Sequence, residues 1–142
     1  MLTPPRTGPD APDDPTRWAP TAPPWPPHVV VAAPHPDDEV LGVGITMRWL
    51  LAHGGAVTVV ACTDGEGSHA RSSAITRDEL RARRRAERAT AFRALGIDPP
   101  VERLALPDGG LAGHVGTLAD ELAGRCSPGT TLVVPWEHDG HP

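Results

Sequence analysis

The segment HVVVAAPHPDDEVLGVG, residues 28–44, joins a short apolar run to an acidic turn and then to the start of a helical pattern. The run from His28 to Ala33 is rich in β-branched residues, which predicts a strand buried on both faces. Residues 38–52 predict a helix, ended by Gly54-Gly55, whose apolar stripe carries Leu41, Ile45, Trp49 and Ala52. The segment therefore predicts the first strand, turn and helix of an α/β fold.

The same alternation of strand and helix continues along the chain. Strands are predicted at 56–62, 101–106 and 130–134, and helices at 76–95 and around Val115, Leu118 and Leu122. Thr76 and Glu79 match the capping-box pattern that opens a helix, and Gly96 is typical of the residue that ends one. Alternation of this kind, with right-handed crossovers, predicts a Rossmann-like parallel sheet with helices on both faces.

Composition narrows the classes of protein to which the chain can belong. Its 142 residues suffice for one domain, and its formal net charge of −5 gives no basic footprint for nucleic acid. Cys62 and Cys126 do not suggest a disulfide framework, and no apolar stretch approaches the roughly 20 residues of a membrane span. We therefore expect a cytoplasmic protein without nucleic-acid partners, and the sequence does not indicate its oligomeric state.

Residues 1–27 form a separate region, which holds more than half of the 18 prolines and few large apolar side chains. A segment of this composition buries too little apolar surface to fold, so we expect it to be disordered. The domain is therefore predicted to occupy residues 28–142.

Acidic and histidine residues follow every predicted strand. The carboxyl ends of parallel strands meet at one edge of a sheet, and ligands of open α/β sheets bind beyond that edge. The residues that follow the four strands are His35, Asp37, Asp38 and Glu39; then Asp64 and Glu66; then Asp108; and finally Glu137, His138, Asp139 and His141. The sequence therefore predicts a polar site at this edge.

The turn from His35 to Glu39 fits two interpretations. Imidazole nitrogen and carboxylate oxygen are zinc ligands, and His35 and Asp38 lie three residues apart across the turn, so both can face one point. Asp37 lies between them, where it can accept a proton from an attacking water. Alternatively, the three acidic residues simply complement the positive end of the helix dipole. Spacing alone does not separate these interpretations.

The run APHPDDEVLGVG, residues 33–44, resembles the signature of the PIG-L/LmbE-like deacetylases. The resemblance extends to VVACTDGE at 59–66, Arg84-x-x-Glu87 and Leu95-Gly96 in the long helix, LPDG at 106–109 and PWEHDGHP at 135–142. It implies a zinc-dependent hydrolase that removes the acetyl group from an N-acetylglucosamine conjugate, a small amino-sugar substrate. The implied roles are His35 and Asp38 as zinc ligands, Asp37 as general base, Arg84 and Asp108 as substrate contacts, and His141 as an aid to the tetrahedral intermediate.

The resemblance also implies a missing ligand. The last segment of the family usually reads His-Pro-Asp-His, and its second histidine is the third zinc ligand, whereas this chain has His141-Pro142 and then ends. We therefore expect a fragment that is incomplete at the C-terminus, because His138 lies on the wrong side of the pattern to substitute. Two alternatives follow for the whole chain: an inactive remnant or binding module without zinc, or the N-terminal part of a bifunctional deacetylase/methyltransferase.

Some of these residues can also be explained by a structural role alone, without a function in the site. Arg84 belongs to a run with Arg81, Arg83, Arg85 and Arg88, which is typical of a solvated helix face. Asp108 fits a simple Pro-Asp-Gly turn. Asp64 and Glu66 are predicted to form the rim of the pocket.

Overall fold

The computed structural model describes residues 27–68 and 74–136, so residues 1–26 of the predicted disordered tail lie outside the described residues. Within it, strands and helices alternate as predicted. The elements are β1 (His28–Ala33), α1 (Asp38–Ala52), β2 (Ala56–Ala61), α2 (Arg77–Leu95), β3 (Val101–Arg103), α3 (Val115–Ala123) and β4 (Thr130–Val133). A 3-10 turn, Leu111–His114, leads directly into α3.

The four strands form one parallel sheet in the order β3-β2-β1-β4. In register, Val30 of β1 lies opposite Thr58 on one side and Leu132 on the other. The strand order therefore reverses at β1, because the chain places β2 and β3 on one side of β1 and β4 on the other. Such a reversal is where open α/β sheets bind their ligands, so the turn after β1 lies at the switch point.

Apolar side chains pack against both faces of the sheet. One face carries the larger cluster, in which Met47 and Leu50 of α1 and Phe92 of α2 cover Val29, Val31 and Val59. The opposite face carries Val30, Ala32 and Val60, which pack against Leu122 of α3. A parallel sheet with helices on both faces confirms the predicted fold class.

The prediction of which face of α1 is buried is wrong. Leu41 and Ile45 are 82% and 72% exposed, whereas Met47 and Leu50 are buried. Gly44 also faces inward, and a Cβ at this position would lie 3.0 Å from Leu95 Cδ1, so the glycine lets α1 approach α2 closely. Residues 40–51 are apolar on nearly every side of the helix, and their periodicity therefore does not specify which face packs.

The ends of α2 follow the predicted signals. Thr76 Oγ1 accepts a hydrogen bond from the Glu79 N–H at 3.2 Å, and Glu79 Oε2 accepts one from the Thr76 N–H at 2.8 Å, which confirms the capping box. Gly96 ends the helix with a left-handed φ of 67°. A local cap thus fixes where α2 begins.

The strands end earlier than predicted. β3 stops at Arg103 because Ala105 adopts a φ of +52°, which regular strands do not tolerate. The N–H groups of Leu104 and Leu106 still donate to the carbonyls of Ala61 and Cys62, each at 2.9 Å. The chain therefore stays attached to β2 as it runs toward Asp108.

Candidate active site

A cleft of about 560 Å³ lies at the carboxyl edge of the sheet, a volume in the range that small-molecule sites use. The structure brings five of the predicted site residues into its lining: His35, Asp37, Asp38, Arg84 and Asp108. Leu41, Ser68 and Arg77 complete much of the remaining wall. Leu41, which is exposed, thus contributes an apolar side chain to this cleft.

Asp37 directs its side chain toward the cleft. Its carbonyl accepts the first hydrogen bonds of α1 from Val40 and Leu41, at 3.0 and 2.9 Å, but its side chain makes no capping hydrogen bond. Instead, Asp37 Oδ2 accepts a hydrogen bond from Arg84 Nη2 at 3.2 Å, and the side chain remains 48% exposed. The side chain of Asp37 therefore pairs with Arg84 and does not cap α1 by a hydrogen bond.

His35 and Asp38 face each other across the turn. The His35 N–H donates to Asp38 Oδ2 at 2.8 Å, and His35 Nδ1 lies 3.4 Å from the same oxygen. Two ligands of a tetrahedral zinc ion, each about 2.0–2.1 Å from the metal, lie about 3.3 Å apart. The spacing of these two atoms is thus compatible with shared coordination of one zinc ion.

The other ring nitrogen of His35 faces Asp108. His35 Nε2 lies 3.1 Å from Asp108 Oδ1, and Asp108 Oδ2 accepts a hydrogen bond from the Gly67 N–H at 2.6 Å. The Asp108 N–H in turn donates to Glu66 Oε1 at 3.3 Å. Asp108 is only 8% exposed, and both of its oxygens are engaged within the protein.

Asp64 and Glu66, in the loop that follows β2, are buried. Arg103 holds Asp64 with two hydrogen bonds, one of them 2.9 Å from Nε to Oδ1, and these bonds lower the pKa of Asp64. Burial raises the pKa of Glu66, but hydrogen bonds from its own backbone, Arg81 and Asp108 outweigh burial and lower it. The prediction that these two acids form the pocket rim is wrong, because both are buried, pair with Arg103 and Arg81, and do not line the cleft.

Arg84 reaches the cleft from α2 beneath the loop that follows β2. Gly65 of this loop has a left-handed φ of 72°, and a Cβ there would lie 2.9 Å from Pro36 Cδ and 3.0 Å from Arg84 Nε. Only glycine therefore lets the loop pass so close to Arg84. Arg84 is mostly buried and ion-paired with Asp37, so it does not belong to a solvated helix face.

Sequence reasoning missed an ion pair that ties α1 to α2. Arg88 Nε donates to Glu39 Oε1 at 2.5 Å, and the two side chains are 4% and 0% exposed. Burial raises the pKa of Glu39, although the guanidinium of Arg88 opposes this shift. The sequence feature that could have indicated this pair is the four-residue spacing of Arg84 and Arg88, which places both on the face of α2 that meets α1. Arg88 therefore does not lie on a solvated helix face.

Several predicted residues cannot be assigned a position. Glu137, His138, Asp139 and His141 lie outside the described residues. Within residues 27–68 and 74–136, no three His, Cys, Asp or Glu side chains come together as a group that could hold a metal ion. In the same part of the chain, no helix is long and apolar enough to cross a membrane.

The sequence also matches a known family. The sequence profile of the PIG-L family, described as GlcNAc-PI de-N-acetylase, matches residues 30–142. A deacetylase of 1D-myo-inositol 2-acetamido-2-deoxy-alpha-D-glucopyranoside from Salinispora arenicola is 44% identical over 69 residues, which cover 44% of this chain and 22% of the relative. The enzyme of the same name from Mycobacterium avium is 39% identical over 80 residues, covering 52% of this chain and 27% of the relative. The chain thus spans about a quarter of the length of these curated relatives.

Solved structures show the same likeness at the level of the fold. An N,N'-diacetylchitobiose deacetylase from Pyrococcus horikoshii is 34% identical with a TM-score of 0.51, over 57% of this chain and 30% of that one. A conserved protein from Thermus thermophilus is also 34% identical, with a TM-score of 0.58 over 80% of this chain and 48% of its own. Because the family profile covers most of the chain and its fold is shared by these structures, the protein belongs to the PIG-L family of GlcNAc-PI de-N-acetylases.

Proposed function

We propose that this chain carries part of the active site of a zinc-dependent hydrolase that removes the acetyl group from an N-acetylglucosamine conjugate. The observation that carries the proposal is the 3.4 Å separation of His35 Nδ1 and Asp38 Oδ2, in a cleft that also holds Asp37 and Arg84. The relatives named as deacetylases of acetamido-glucopyranoside and diacetylchitobiose substrates support the same chemistry.

The donor set fits zinc as the metal. Zinc accepts one imidazole nitrogen and one carboxylate oxygen, and catalytic sites add a third protein ligand and keep one position open. When bound, zinc polarises the acetyl carbonyl and lowers the pKa of water to about 7. We propose that a residue outside the described part of the chain supplies the third ligand.

Asp37 is proposed as the general base. Arg84 holds one of its oxygens at 3.2 Å, while the side chain stays 48% exposed to the cleft. The carboxylate is therefore fixed in direction and still reachable by water. It accepts the proton of the attacking water and later passes it to the departing amine, a role that contributes about 10²–10⁴-fold in rate.

The remaining roles concern the substrate. The guanidinium of Arg84 lies at the cleft wall, where it can donate to an oxygen of the amino sugar as well as to Asp37. Asp108 is also proposed as a sugar contact, although a hydroxyl would have to share an oxygen that already accepts a hydrogen bond. His141, as an imidazolium, is proposed to stabilise the oxyanion of the tetrahedral intermediate.

The proposal concerns the natural protein that contains this chain. We also propose that this protein is cytoplasmic. Cys62 is buried, and burial raises its pKa to about 11, while neither Cys62 nor Cys126 forms a disulfide with a described residue. Thiols left unpaired in this way are typical of a reducing compartment.

Zinc titration of the purified natural protein tests the proposal. We expect one zinc ion per chain, and a loss of affinity in His35→Ala and Asp38→Asn that exceeds the roughly 10–100-fold caused by changes outside the ligand shell. The matched control is Asp120→Asn, which alters an exposed acid on α3 and should bind zinc like the parent. A parent protein without zinc would instead support the inactive remnant.

A further inference from the structure

We propose that Asp108 is a positioning residue for the metal site, which acts through His35 by accepting a hydrogen bond from its Nε2–H group. Nδ1 is then the nitrogen that offers its electron pair, on the side where Asp38 lies. This inference rests on the proposed zinc-dependent function, and it assigns to Asp108 a role other than contact with the sugar.

The contacts of His35 select one tautomer of its ring. A neutral imidazole carries one N–H, and an ionised carboxylate can only accept. Asp108 lies at hydrogen-bond distance from Nε2, 3.1 Å, whereas Asp38 lies 3.4 Å from Nδ1, so the geometry points to Nε2 as the protonated nitrogen. The opposite nitrogen, Nδ1, then presents its lone pair 3.4 Å from Asp38 Oδ2. Two electron-pair donors that face each other at this distance are stabilised by a cation between them.

Asp108 is itself held from two directions. The Gly67 N–H donates to Oδ2 at 2.6 Å, and the Asp108 N–H donates to Glu66, which Arg81 holds at 3.2 Å. A Cβ at Gly67 would lie 2.9 Å from Asp108 Oδ2, so glycine alone permits this contact. The carboxylate is therefore fixed before any ligand binds, as a residue that orients a metal ligand must be.

Burial also separates this role from a direct contact with substrate. Asp108 is 8% exposed, whereas Asp37 in the same cleft is 48% exposed. Removing a sugar contact would raise KM and leave the affinity for zinc unchanged. Removing a carboxylate that orients a metal ligand weakens zinc binding by about 10–100-fold, whether or not substrate is present.

The test measures zinc affinity of the natural protein without substrate, by competition with a chromogenic chelator. We expect about 10–100-fold weaker binding for Asp108→Ala. Asp108→Asn should lose less than Asp108→Ala, because its amide oxygen can still accept from His35. It should still lose some affinity, because its NH₂ group then meets the Gly67 N–H as donor against donor. Asp120→Asn serves as the control and should match the parent. Zinc affinity of Asp108→Ala within about twofold of the parent, together with a raised KM, would overturn the inference.

Two further measurements keep the inference testable if Asp108→Ala folds poorly. Gly67→Ala leaves the carboxylate in place but crowds its Oδ2, and it should also weaken zinc binding. NMR of the metal-free protein reads the tautomer of His35 directly, at a pH where the ring is neutral. We expect the Nε2–H form in the parent and a mixture in Asp108→Asn; an Nδ1–H form in the parent would overturn the inference. A parent that binds no zinc would overturn the proposed function as well.

Discussion

Replacing Arg88 with methionine removes the guanidinium that faces the buried carboxylate of Glu39. The two side chains are 4% and 0% exposed, and Nε lies 2.5 Å from Oε1, so the variant leaves a carboxylate in the interior without this partner. Breaking a buried pair in this way costs about 3–5 kcal/mol. Glu39 can limit the loss by taking up a proton, because burial already raises its pKa. We therefore expect a free energy of unfolding about 3 kcal/mol below that of the parent at neutral pH.

The pH dependence of this deficit has a definite sign. A carboxyl whose pKa is higher in the folded state keeps its proton there after the unfolded state has released it. Its contribution to stability is therefore present below the unfolded pKa, near 4.5, and is lost as pH rises through the folded pKa. The deficit of Arg88→Met should accordingly be larger at neutral pH than near the unfolded pKa.

A double variant separates the cost of an unpaired charge from the worth of the pair. Glu39 Oε2 and Arg88 Nη2 are buried and make no hydrogen bond within the described residues, so the pair is incompletely satisfied. Replacing such a pair by apolar residues is often neutral or stabilising by about 1–4 kcal/mol. Glu39→Leu/Arg88→Met should therefore be at least as stable as the parent, to within about 1 kcal/mol.

Urea unfolding followed by circular dichroism measures these differences, provided that the variants share one m-value. The matched control is Arg83→Met, which removes an arginine from an exposed pair with Glu87 whose side chains are 68% and 54% exposed. This change should alter the free energy of unfolding by less than about 0.5 kcal/mol. The reasoning is refuted if Arg88→Met costs no more than Arg83→Met, or if the double variant is as unstable as Arg88→Met.

Three other perturbations have outcomes that the structure specifies. Asp37→Asn should lower the rate of deacetylation by about 10²–10⁴-fold while zinc affinity stays within a few-fold of the parent, as kinetics and zinc titration would show. Arg103 lowers the pKa of Asp64, so the stability that this pair contributes is present above the unfolded pKa of about 3.8 and is lost as pH falls through the lower folded pKa. Acid unfolding of Arg103→Met should therefore lack the loss of stability that the parent shows in this pH range. Gly65→Ala should destabilise the fold by about 1–2 kcal/mol, because φ is 72° and the new Cβ would meet side-chain atoms at 2.9 and 3.0 Å. The control Gly116→Ala, in α3 with nothing within 4 Å of its Cβ, should instead stabilise it by about 0.5–1 kcal/mol in a thermal melt.

Local signals in the sequence were sufficient for the order of elements and for the position of the site. The β-branched runs identify β1 and β2, and the capping box and Gly96 fix α2, because each depends on residues close together in the chain. The strand-end rule then places His35, Asp38 and Asp108 at one edge, where the structure has them within one cleft.

Features that depend on long-range packing were not accessible in this way. The face that α1 buries is set by the approach of α2 at Gly44, not by the periodicity of an evenly apolar helix. Glu39 and Arg88 are 49 residues apart, and each alone looks like an ordinary charged residue of a helix. The positive φ of Ala105, which ends β3, follows from the path of the chain toward Asp108 and has no signal in a single alanine.

Acetate release from an N-acetylglucosaminyl substrate by the zinc-loaded natural protein tests the central claim most directly. We predict release that a chelator abolishes and added zinc restores, because the proposed reaction requires a metal held by the proposed ligands His35 and Asp38. Acetate release that continues at the same rate with the chelator present, or no release from protein that holds one zinc ion per chain, would contradict a zinc-dependent deacetylase.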